Sequence, residues 1–544
     1  MVEVGNGERV VDATRNAVPF AGLLVTVVVL DRATLALTGL AGDDVFSSSL
    51  LLASIERNLI FWVVAIVAVF VGGVLLAVSG DGNGRLLEPW SALENGSVLR
   101  WLSALLIVYT TWVGAFGSFN FFSNELYLFD RGLLVALALL AFWRPVALLP
   151  LVVVARVLSE QTLFPFVNPA VQNIDDLLAF ALLIVAAGHL WYVATGRRET
   201  SPILLGLITL LAAHFYLPGR GKLSLGWLTN NNTGNLALSS YTAGWLANTD
   251  GGALRSLANL LESAGPVVNL FTTVAELGSV IAVLTRRLSA VWLAMWILLH
   301  IAVFAATGFV FIGWMLLEVG LLVILLSGSL RSWVDENATV GRGLVAVVAV
   351  LATPFLFHPP GLSWLDSPVS TGYRLEAVGE SGERYEVPIS VFSPLDVNVS
   401  FLDVHVTELR PPVGAYGALG SVDELRALEQ VETFDDLAVI ESQQPVNERT
   451  ELSEDFLITF FDYANRGEGS LLRIIDPPAR FLTQSPGPSF SFQEPLVELQ
   501  LFQVTNIHRL SEGDASVDET LRTELVLTIE QDDPGAGRIA PGER

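Results

Sequence analysis

Long apolar runs separated by short polar segments fill the first two thirds of the chain. An α-helix needs roughly 17 to 25 mostly apolar residues to cross the hydrocarbon core of a bilayer. The pattern predicts eleven such spans, near residues 17–39, 58–80, 100–121, 126–143, 145–163, 175–196, 202–218, 265–284, 289–306, 308–329 and 342–358. The first is the weakest, because Asp31 and Arg32 interrupt its apolar run.

Beyond residue 358 short alternating segments replace the long apolar runs. The segment Tyr373–Pro388 alternates about an ESGE turn, which indicates a β-hairpin. Further strands are predicted at Val397–Val406, Leu496–Val504 and Thr523–Ile529, and helices at Ser421–Gln430 and Ser453–Tyr463. The sequence therefore predicts a polytopic α-helical membrane protein with a C-terminal α+β or β-rich domain. Its expected parts are N-terminal spans and a loop (1–97), a transmembrane domain (98–358) and an acidic soluble domain (359–544).

The loop arginines predict how the spans are oriented. Short cytoplasmic loops collect basic residues, and an alternation of eleven spans brings the loop arginines to one side. They are Arg85, Arg100, Arg144, Arg197, Arg198, Arg286, Arg287, Arg331 and Arg342. We therefore expect a multi-pass protein of the cell membrane with a cytoplasmic N-terminus and an extracellular C-terminal domain. The polar segment 219–264 is then also extracellular, and we expect it to form a re-entrant or cap element.

Composition agrees with a membrane protein and adds an acidic bias. The chain is 52% hydrophobic and 16% charged, with a mean hydropathy of +0.56. Residues 359–544 hold 33 acidic and 12 basic side chains, so most of the formal charge of -25 lies there. Such a surface is typical of halophilic proteins that work at molar salt, and an ordinary acidic extracellular domain is the alternative. The lipid bilayer is the expected partner, and nucleic acid is not expected. With no cysteine, disulfides and thiol chemistry are excluded.

One lysine, Lys222, stands among 29 arginines at the outer end of a predicted span. An ammonium group in a poorly solvated pocket can release its proton and act as a base, whereas a guanidinium stays charged. Lys222 is therefore a candidate base. The alternative is a lysine at a helix C-terminus that the helix dipole and the membrane interface stabilise.

Ionisable residues inside the predicted spans are further candidates, because burying each in hydrocarbon costs free energy. They are His189, His214, His300, Glu276, Glu318 and Arg156. A structural hydrogen bond or ion pair is the alternative for each of them. The three histidines could in principle hold a haem or a metal, but their spacing matches no ligand motif, and we predict no metal site.

Four stretches resemble those of one membrane-protein family, in the same order. Tyr216–Trp227 (YLPGRGKLSLGW) is similar to the pattern aromatic-x-x-G-x-x-K-L-x-x-x-W. The run Glu276–Phe304 resembles a glutamate-bearing span, a basic turn and a histidine-bearing span. Ser123–Leu134 (SNELYLFDRGLL) and the hairpin Tyr373–Phe392 resemble two further stretches. Together they resemble the horizontally transferred transmembrane (HTTM) family, which includes the vitamin K-dependent gamma-glutamyl carboxylase, over roughly residues 98–400.

The resemblance implies a membrane enzyme that uses a lipid quinol at an outward-facing site. In the carboxylase the matching lysine is understood to deprotonate a reduced quinone, which then reacts with oxygen to give a strong base. The implied catalytic residues are Lys222, His300, Asn124 and Glu125, and the implied cofactor-binding residues are Tyr216, Trp227 and Glu276. The implied cofactor is reduced menaquinone or another quinol, and the C-terminal domain is expected to bind a secreted or surface protein substrate.

Glu125 leaves a second function open. The family has asparagine followed by histidine where this chain has Asn124 and Glu125. A carboxylate opposes developing negative charge, and pairing with Lys222 would hold the lysine in its charged form. The alternative is a non-enzymatic membrane scaffold whose acidic domain binds a surface or secreted partner and in which Lys222 and Glu125 form a structural ion pair. A transporter is a third possibility, although the pattern shows no paired broken spans.

Overall fold

The chain is mostly helical, with a small β region in its C-terminal part. The structure is a computed structural model. It describes residues 6–40, 44, 47–78, 82–116, 127–160, 169–230, 232–246, 248–327, 340–360, 362–388, 413–414, 417–443, 457–458, 460–462, 464–465, 494–508 and 521–530.

The helices of the first two thirds follow one another with short connections. They are α1 (Asn6–Thr38), α2 (Leu50–Arg57), α3 (Leu59–Val78), α4 (Gly82–Leu86), α5 (Gly96–Phe116), α6 (Tyr127–Trp143), α7 (Leu148–Ser159), α8 (Pro169–Thr195), α9 (Ser201–Ser224), α10 (Thr233–Thr242), α11 (Gly251–Leu277), α12 (Ser279–Ala282), α13 (Arg286–Thr307), α14 (Ile312–Leu326), α15 (Val340–Leu351) and α16 (Thr353–Leu356). Each of the eleven predicted apolar runs overlaps a helix in its described part.

The helices divide by their ability to cross a bilayer. Among the described residues, five helical stretches are long and apolar enough: Ala17–Thr38, Gly96–Phe116, Asp176–Thr195, Ser201–Ser224 and Arg286–Thr307. The pair α2 and α3, bent by 92° at its break, makes a sixth if it counts as one span. Pro145–Ser159, Ile312–Leu326 and Gly341–Leu351 are shorter apolar helices. These apolar helices are consistent with a multi-pass membrane protein with five or six candidate spans.

An ion pair explains the charge inside α1. The helix continues past Asp31, whose Oδ1 accepts a hydrogen bond from Arg156 Nη2 of α7 at 2.7 Å. Arg156 Nη1 donates to Thr34 Oγ1 at 2.5 Å, and Arg156 Nε lies 3.6 Å from Asp176 Oδ1 of α8. Buried charges in an apolar bundle need partners of opposite sign. This network therefore lets the weakest predicted span form a continuous helix.

At one end of the bundle, segments that carry arginine residues contact one another. The backbone N–H of Glu94 donates to the carbonyl oxygen of Arg198 at 2.9 Å. Arg342 Nη2 lies 3.4 Å from Glu199 Oε2. The segments that meet here precede α5, join α8 to α9 and form the first turn of α15. Their packing is what the arginine pattern predicts for loops on one face.

The polar segment 219–264 is helical over much of its length. The helix α9 continues to Ser224, and α10 and α11 pack through Ala237, Leu238, Leu254 and Ala258. Asp250 caps α11 by accepting from the backbone N–H groups of the first turn. The helix α11 therefore begins well before the apolar run at residue 265. The helix α10 also packs against the C-terminal sheet, so this segment links the membrane helices to the C-terminal region.

The C-terminal region contains two antiparallel sheets. In the described residues its strands are β1 (Leu365–Asp366), β2 (Val369–Gly379), β3 (Arg384–Val387), β4 (Ala418–Leu419), β5 (Leu496–Ile507) and β6 (Leu521–Glu530). Its helices there include α17 (Val422–Leu428) and α18 (Phe434–Glu441). One sheet has the order β3-β2-β5-β6, and the other pairs β1 with β4.

Most of the predicted C-terminal elements that lie in the described residues are present. The pairing of β2 with β3 confirms the predicted hairpin, with Leu375 opposite Val387. The strands β5 and β6 contain the two predicted strands near the C-terminus, and α17 lies within the predicted helix that opens at Ser421. Ser421 caps α17 by accepting from Glu424 N. The predicted strand Val397–Val406 lies outside the described residues. Of the predicted helix Ser453–Tyr463, the described residues 457–458 and 460–462 are helical, and the others lie outside the described residues.

Candidate functional site

Lys222 lies in the last turn of α9 and forms a buried ion pair with Glu276 of α11. Its Nζ donates to Glu276 Oε1 at 2.5 Å. The two side chains are 8% and 5% exposed. Lys222 and Glu276 are both predicted from the sequence as site residues, and the structure brings them together. The carboxylate proposed there as the ion-pair partner, Glu125, lies outside the described residues, as does Asn124.

Gly219 allows α9 and α11 to approach closely at this pair. A Cβ atom at residue 219 would lie 2.7 Å from the Cβ of Glu276 and 2.8 Å from the backbone nitrogen of Leu277. Contacts this short are not accommodated without a backbone shift. The glycine one turn before Lys222 therefore sets the distance between the two helices and brings the ammonium group to the carboxylate.

Two tryptophan rings lie beside the Lys222 ammonium group. Its Nζ is 5.6 Å from the ring centroid of Trp227 and 5.6 Å from that of Trp364. Both distances are within the range of a cation–π interaction. The backbone of Trp227 is fixed by its N–H, which donates to the Lys222 carbonyl oxygen, and by its own carbonyl oxygen, which accepts from Asn269 Nδ2 at 2.9 Å. The rings cover the cation with apolar surface.

The C-terminal region contributes to the same site through residues 363–366. Ser363 packs against Gly221, where an added Cβ would lie 2.1 Å from the Ser363 hydroxyl oxygen. Trp364 Nε1 donates to Asp366 Oδ1 at 3.3 Å. Burial raises the pKa of Asp366 to about 7, and the Lys222 charge acts in the opposite direction. Trp364 and Asp366 could not be recognised as site residues from the sequence, because neither lies in an apolar span or in a motif.

A second buried acid–base pair lies next to the first. His300 Nδ1 of α13 is 3.2 Å from Glu318 Oε2 of α14. The imidazole stacks on Phe311, with 4.9 Å between ring centroids. One turn before His300, Trp296 Nε1 donates to the carbonyl oxygen of Ala275, the residue before Glu276, at 3.0 Å. Glu318 was recognised in the sequence as a charged group inside a span, but it was not assigned to the site.

Some polar atoms of the site have no partner among the described residues. Glu276 Oε2, Glu318 Oε1 and Trp227 Nε1 are buried and make no hydrogen bond. Leaving a buried polar atom unsatisfied costs free energy. Each of the two carboxylate oxygens can accept a hydrogen bond, and the indole N–H can donate one.

The remaining candidates contact the apolar core or backbone carbonyl groups in the described part. Tyr216 of α9 is partly buried against the main apolar core, one and a half turns before Lys222. His214 Nδ1 lies 2.9 Å from the Leu210 carbonyl oxygen of its own helix, and His189 Nε2 lies 3.2 Å from that of Leu86. No group of three or more His, Cys, Asp or Glu residues that could hold a metal ion occurs among the described residues.

The arrangement is suited to proton transfer. It combines an amine, three carboxyl groups and an imidazole in a buried environment, where burial and neighbouring charges change the proton affinity of each group. The chain matches no family model, no curated protein and no solved structure.

Proposed function

We propose that the chain is a membrane enzyme that uses a lipid quinol, with Lys222 as the base at an outward-facing site. The observation that carries this proposal is the buried Lys222–Glu276 pair, which holds the one lysine of the chain beside two tryptophan rings. The resemblance of residues 216–227 to the HTTM pattern gives the reaction class. Reduced menaquinone, or another quinol of the same kind, is the proposed cofactor.

The residues present fit a quinol. Trp227 Nε1 and Glu276 Oε2 supply an unsatisfied donor and acceptor for its oxygens, and the rings of Trp227 and Trp364 supply flat apolar surface. A bound quinol supplies a hydroxyl proton and, once deprotonated, electrons for oxygen. The chain's own residues bind and orient it: Lys222 in its neutral form accepts the proton, and Glu276 keeps the amine in place.

The proposed topology has eleven spans, a cytoplasmic N-terminus and an extracellular C-terminal region. It is supported by the contacts of Glu94 with Arg198 and of Glu199 with Arg342, which bring arginine-bearing segments together at one end of the bundle. Lys222 lies in the last turn of α9, at the opposite end of that helix. There Lys222 contacts Trp364, and its neighbour Gly221 contacts Ser363 of the C-terminal region. In this topology the site faces outward, and the acidic C-terminal region is positioned to present a secreted or surface protein substrate to it.

Quinol turnover by Lys222 variants tests the proposal. The full chain in lipid nanodiscs is supplied with reduced menaquinone and oxygen, and quinol oxidation is followed spectroscopically. Loss of a general base costs roughly a hundredfold to ten-thousandfold in rate, so we expect that loss in Lys222→Ala. We expect it also in Lys222→Arg, because a guanidinium keeps the ion pair but not the base.

The matched control is Arg220→Ala, which removes an exposed cation two residues away. It should turn over quinol at the rate of the unaltered protein. Equal turnover in Lys222→Ala and the unaltered protein would end the enzymatic proposal.

The second candidate function is a non-enzymatic membrane scaffold whose acidic C-terminal region binds a surface or secreted partner. It is favoured by the same 2.5 Å contact, because a lysine held against a carboxylate is suited to a structural ion pair. Under this alternative neither the unaltered protein nor Lys222→Arg oxidises quinol. Lys222→Arg then retains stability and partner binding, and Lys222→Ala loses stability because it leaves Glu276 buried without a counter-charge.

A further inference from the structure

We propose that Arg100 and the aromatic rings around it bind the phosphate headgroup of an anionic phospholipid. The site lies where α5 begins and α6 ends, at the end of the bundle away from Lys222. Arg100 has no part in the quinol site, so this inference goes beyond the proposed function and does not depend on it.

The segment before α5 holds the start of α5 beside the end of α6. Trp90 Nε1 of this segment donates to the carbonyl oxygen of Ala141, in the last turn of α6, at 3.0 Å. The backbone N–H of Glu94 donates to the connection between α8 and α9 at 2.9 Å. Arg100 lies about one turn into α5, and Trp143 is the last residue of α6. Arg100 and Trp143 therefore lie close together at this end of the bundle.

Three aromatic rings lie around the Arg100 guanidinium. Its Cζ is 4.4 Å from the ring centroid of Phe142, 5.3 Å from that of Trp143 and 5.8 Å from that of Trp101. The ring of Phe142 also meets the two indole rings edge to face, with centroid distances of 6.2 Å to Trp101 and 5.5 Å to Trp143. Cation–π contacts hold the guanidinium in place, but they occupy none of its N–H donors in a conventional hydrogen bond.

Arg100 lacks the carboxylate partner that cations inside the bundle have. Arg156 Nη2 lies 2.7 Å from Asp31 Oδ1, and Lys222 Nζ lies 2.5 Å from a Glu276 oxygen. In the part of the chain that the structure describes, the Arg100 side chain makes no hydrogen bond or ion pair, and its Nε is buried. A buried donor without an acceptor costs free energy. The acceptor for this guanidinium therefore comes from outside the described part of the chain.

The apolar surface beside the rings fits a lipid rather than a soluble anion. Trp101 and Trp143 are 67% and 61% exposed, and exposed tryptophans in membrane proteins lie at the level of the headgroups. Leu105 and Val108 follow Trp101 at helical spacing and are exposed, as is Leu139, one turn before Trp143. The two exposed faces therefore extend from the rings toward the bilayer core, where they can contact acyl chains.

A phosphate group matches the free donors of Arg100. A guanidinium binds phosphate through two parallel, charge-assisted hydrogen bonds. Arg144, the residue after Trp143, adds a second positive charge. Basic sites at the ends of membrane helices bind anionic headgroups, whereas a zwitterionic headgroup brings its own cation to the arginines. An anionic phospholipid therefore fits this site better than a zwitterionic one.

Lipid binding to the full chain in detergent tests this site. The protein is titrated with phosphatidylglycerol in about 0.5 M ammonium acetate, in which exposed charges more than a few ångströms apart are screened. Native mass spectrometry gives the dissociation constant of the first bound lipid. Phosphatidylcholine and glycerol 3-phosphate are titrated in parallel. The variants are Arg100→Ala and Arg100→Gln, and the matched control is Arg197→Ala, which removes an exposed arginine from the connection between α8 and α9.

We expect Arg100→Ala and Arg100→Gln to weaken phosphatidylglycerol binding at least about tenfold, because both remove charge-assisted hydrogen bonds to the phosphate. Arg197→Ala should bind it as the unaltered protein does. Phosphatidylcholine should bind more weakly than phosphatidylglycerol and equally to all variants. Glycerol 3-phosphate, which has no acyl chains, should bind the unaltered protein at least about tenfold more weakly than the lipid.

Two results would overturn the lipid site. Equal phosphatidylglycerol affinity in Arg100→Ala and the unaltered protein would show that Arg100 does not bind the headgroup, and an equal loss in Arg197→Ala would show diffuse attraction in place of a site. Glycerol 3-phosphate binding as tightly as phosphatidylglycerol would identify the ligand as a free phosphate and contradict a lipid. If Arg100→Ala does not fold, Arg100→Gln, which keeps a long polar side chain, carries the test.

Discussion

Asp366 is a buried carboxyl group of the C-terminal region that lies within electrostatic range of Lys222. It is buried in β1 and accepts a hydrogen bond from Trp364 Nε1, and the Lys222 charge acts to lower its pKa. Its raised pKa, about 7, reflects the cost of burying a carboxylate. The residue therefore changes charge near neutral pH at the edge of the site. A stability measurement can detect this titration.

We expect Asp366→Asn to remove a pH dependence of stability. The carboxyl group has an ordinary pKa of 3.8 in the unfolded chain and about 7 in the folded one. Between these values only the folded state holds the proton, so rising pH destabilises the unaltered protein and leaves the variant unaffected. The difference in unfolding free energy should change by at most about 1.4 kcal/mol for each pH unit.

The measurement is denaturant unfolding of both proteins in detergent at several pH values from 4 to 8. His508, whose pKa burial lowers to about 3, has the opposite effect on stability at acid pH. It is present in both proteins and cancels in the difference. A difference that does not vary with pH would show that Asp366 is ionised in the folded chain throughout.

At the scale of elements, the contact between α9 and α11 decides the geometry of the site. Gly219→Ala places a Cβ atom within 2.8 Å of the α11 backbone. We expect this to push the helices apart and to destabilise the protein by about 1–3 kcal/mol, with loss of the Lys222–Glu276 contact. Thermal unfolding in detergent measures the loss of stability.

Gly132→Ala in α6 is the matched control, because an added Cβ there meets nothing within 4 Å. Alanine favours a helix over glycine, so this variant should equal the unaltered protein or exceed its stability by up to about 1 kcal/mol. Equal effects of the two substitutions would mean that α9 and α11 are not in close contact at Gly219.

The helices could be predicted from the sequence, but the partners of their charged residues could not. An apolar run of sufficient length defines a helix locally, and this is why each predicted run overlaps one. The pairing of Asp31 with Arg156 depends on how α1 and α7 pack. The apolar pattern alone therefore made the first span look weak, although its charge is neutralised in the bundle.

The same limit applies to the candidate site. Lys222, Glu276 and Trp227 were identified from the sequence and lie together. The choice of Glu276 as the lysine's partner, and the arrival of Trp364 from the C-terminal region, depend on contacts between residues far apart in the chain. Tyr216, which also matches the motif, is partly buried against the apolar core, and its assignment as a cofactor-binding residue stays a prediction.

At the scale of the whole molecule, the bundle has two unlike ends. At one end Glu94 contacts Arg198, and Glu199 contacts Arg342. At the other end Lys222 contacts Trp364 of the C-terminal region. The proposed function requires this second end to face outward. Quinol chemistry on an extracellular protein substrate requires Lys222 and the acidic C-terminal region to be on that side of the membrane.

Cysteine labelling on intact cells tests this orientation most directly. The chain has no cysteine, so single substitutions can be labelled with a membrane-impermeant maleimide without background. Ser442→Cys lies at the end of α18, and Arg287→Cys lies in the first turn of α13; both positions are exposed. We predict that Ser442→Cys is labelled on intact cells and Arg287→Cys only after lysis. The reverse pattern, with Arg287→Cys labelled from outside, would contradict an outward-facing site.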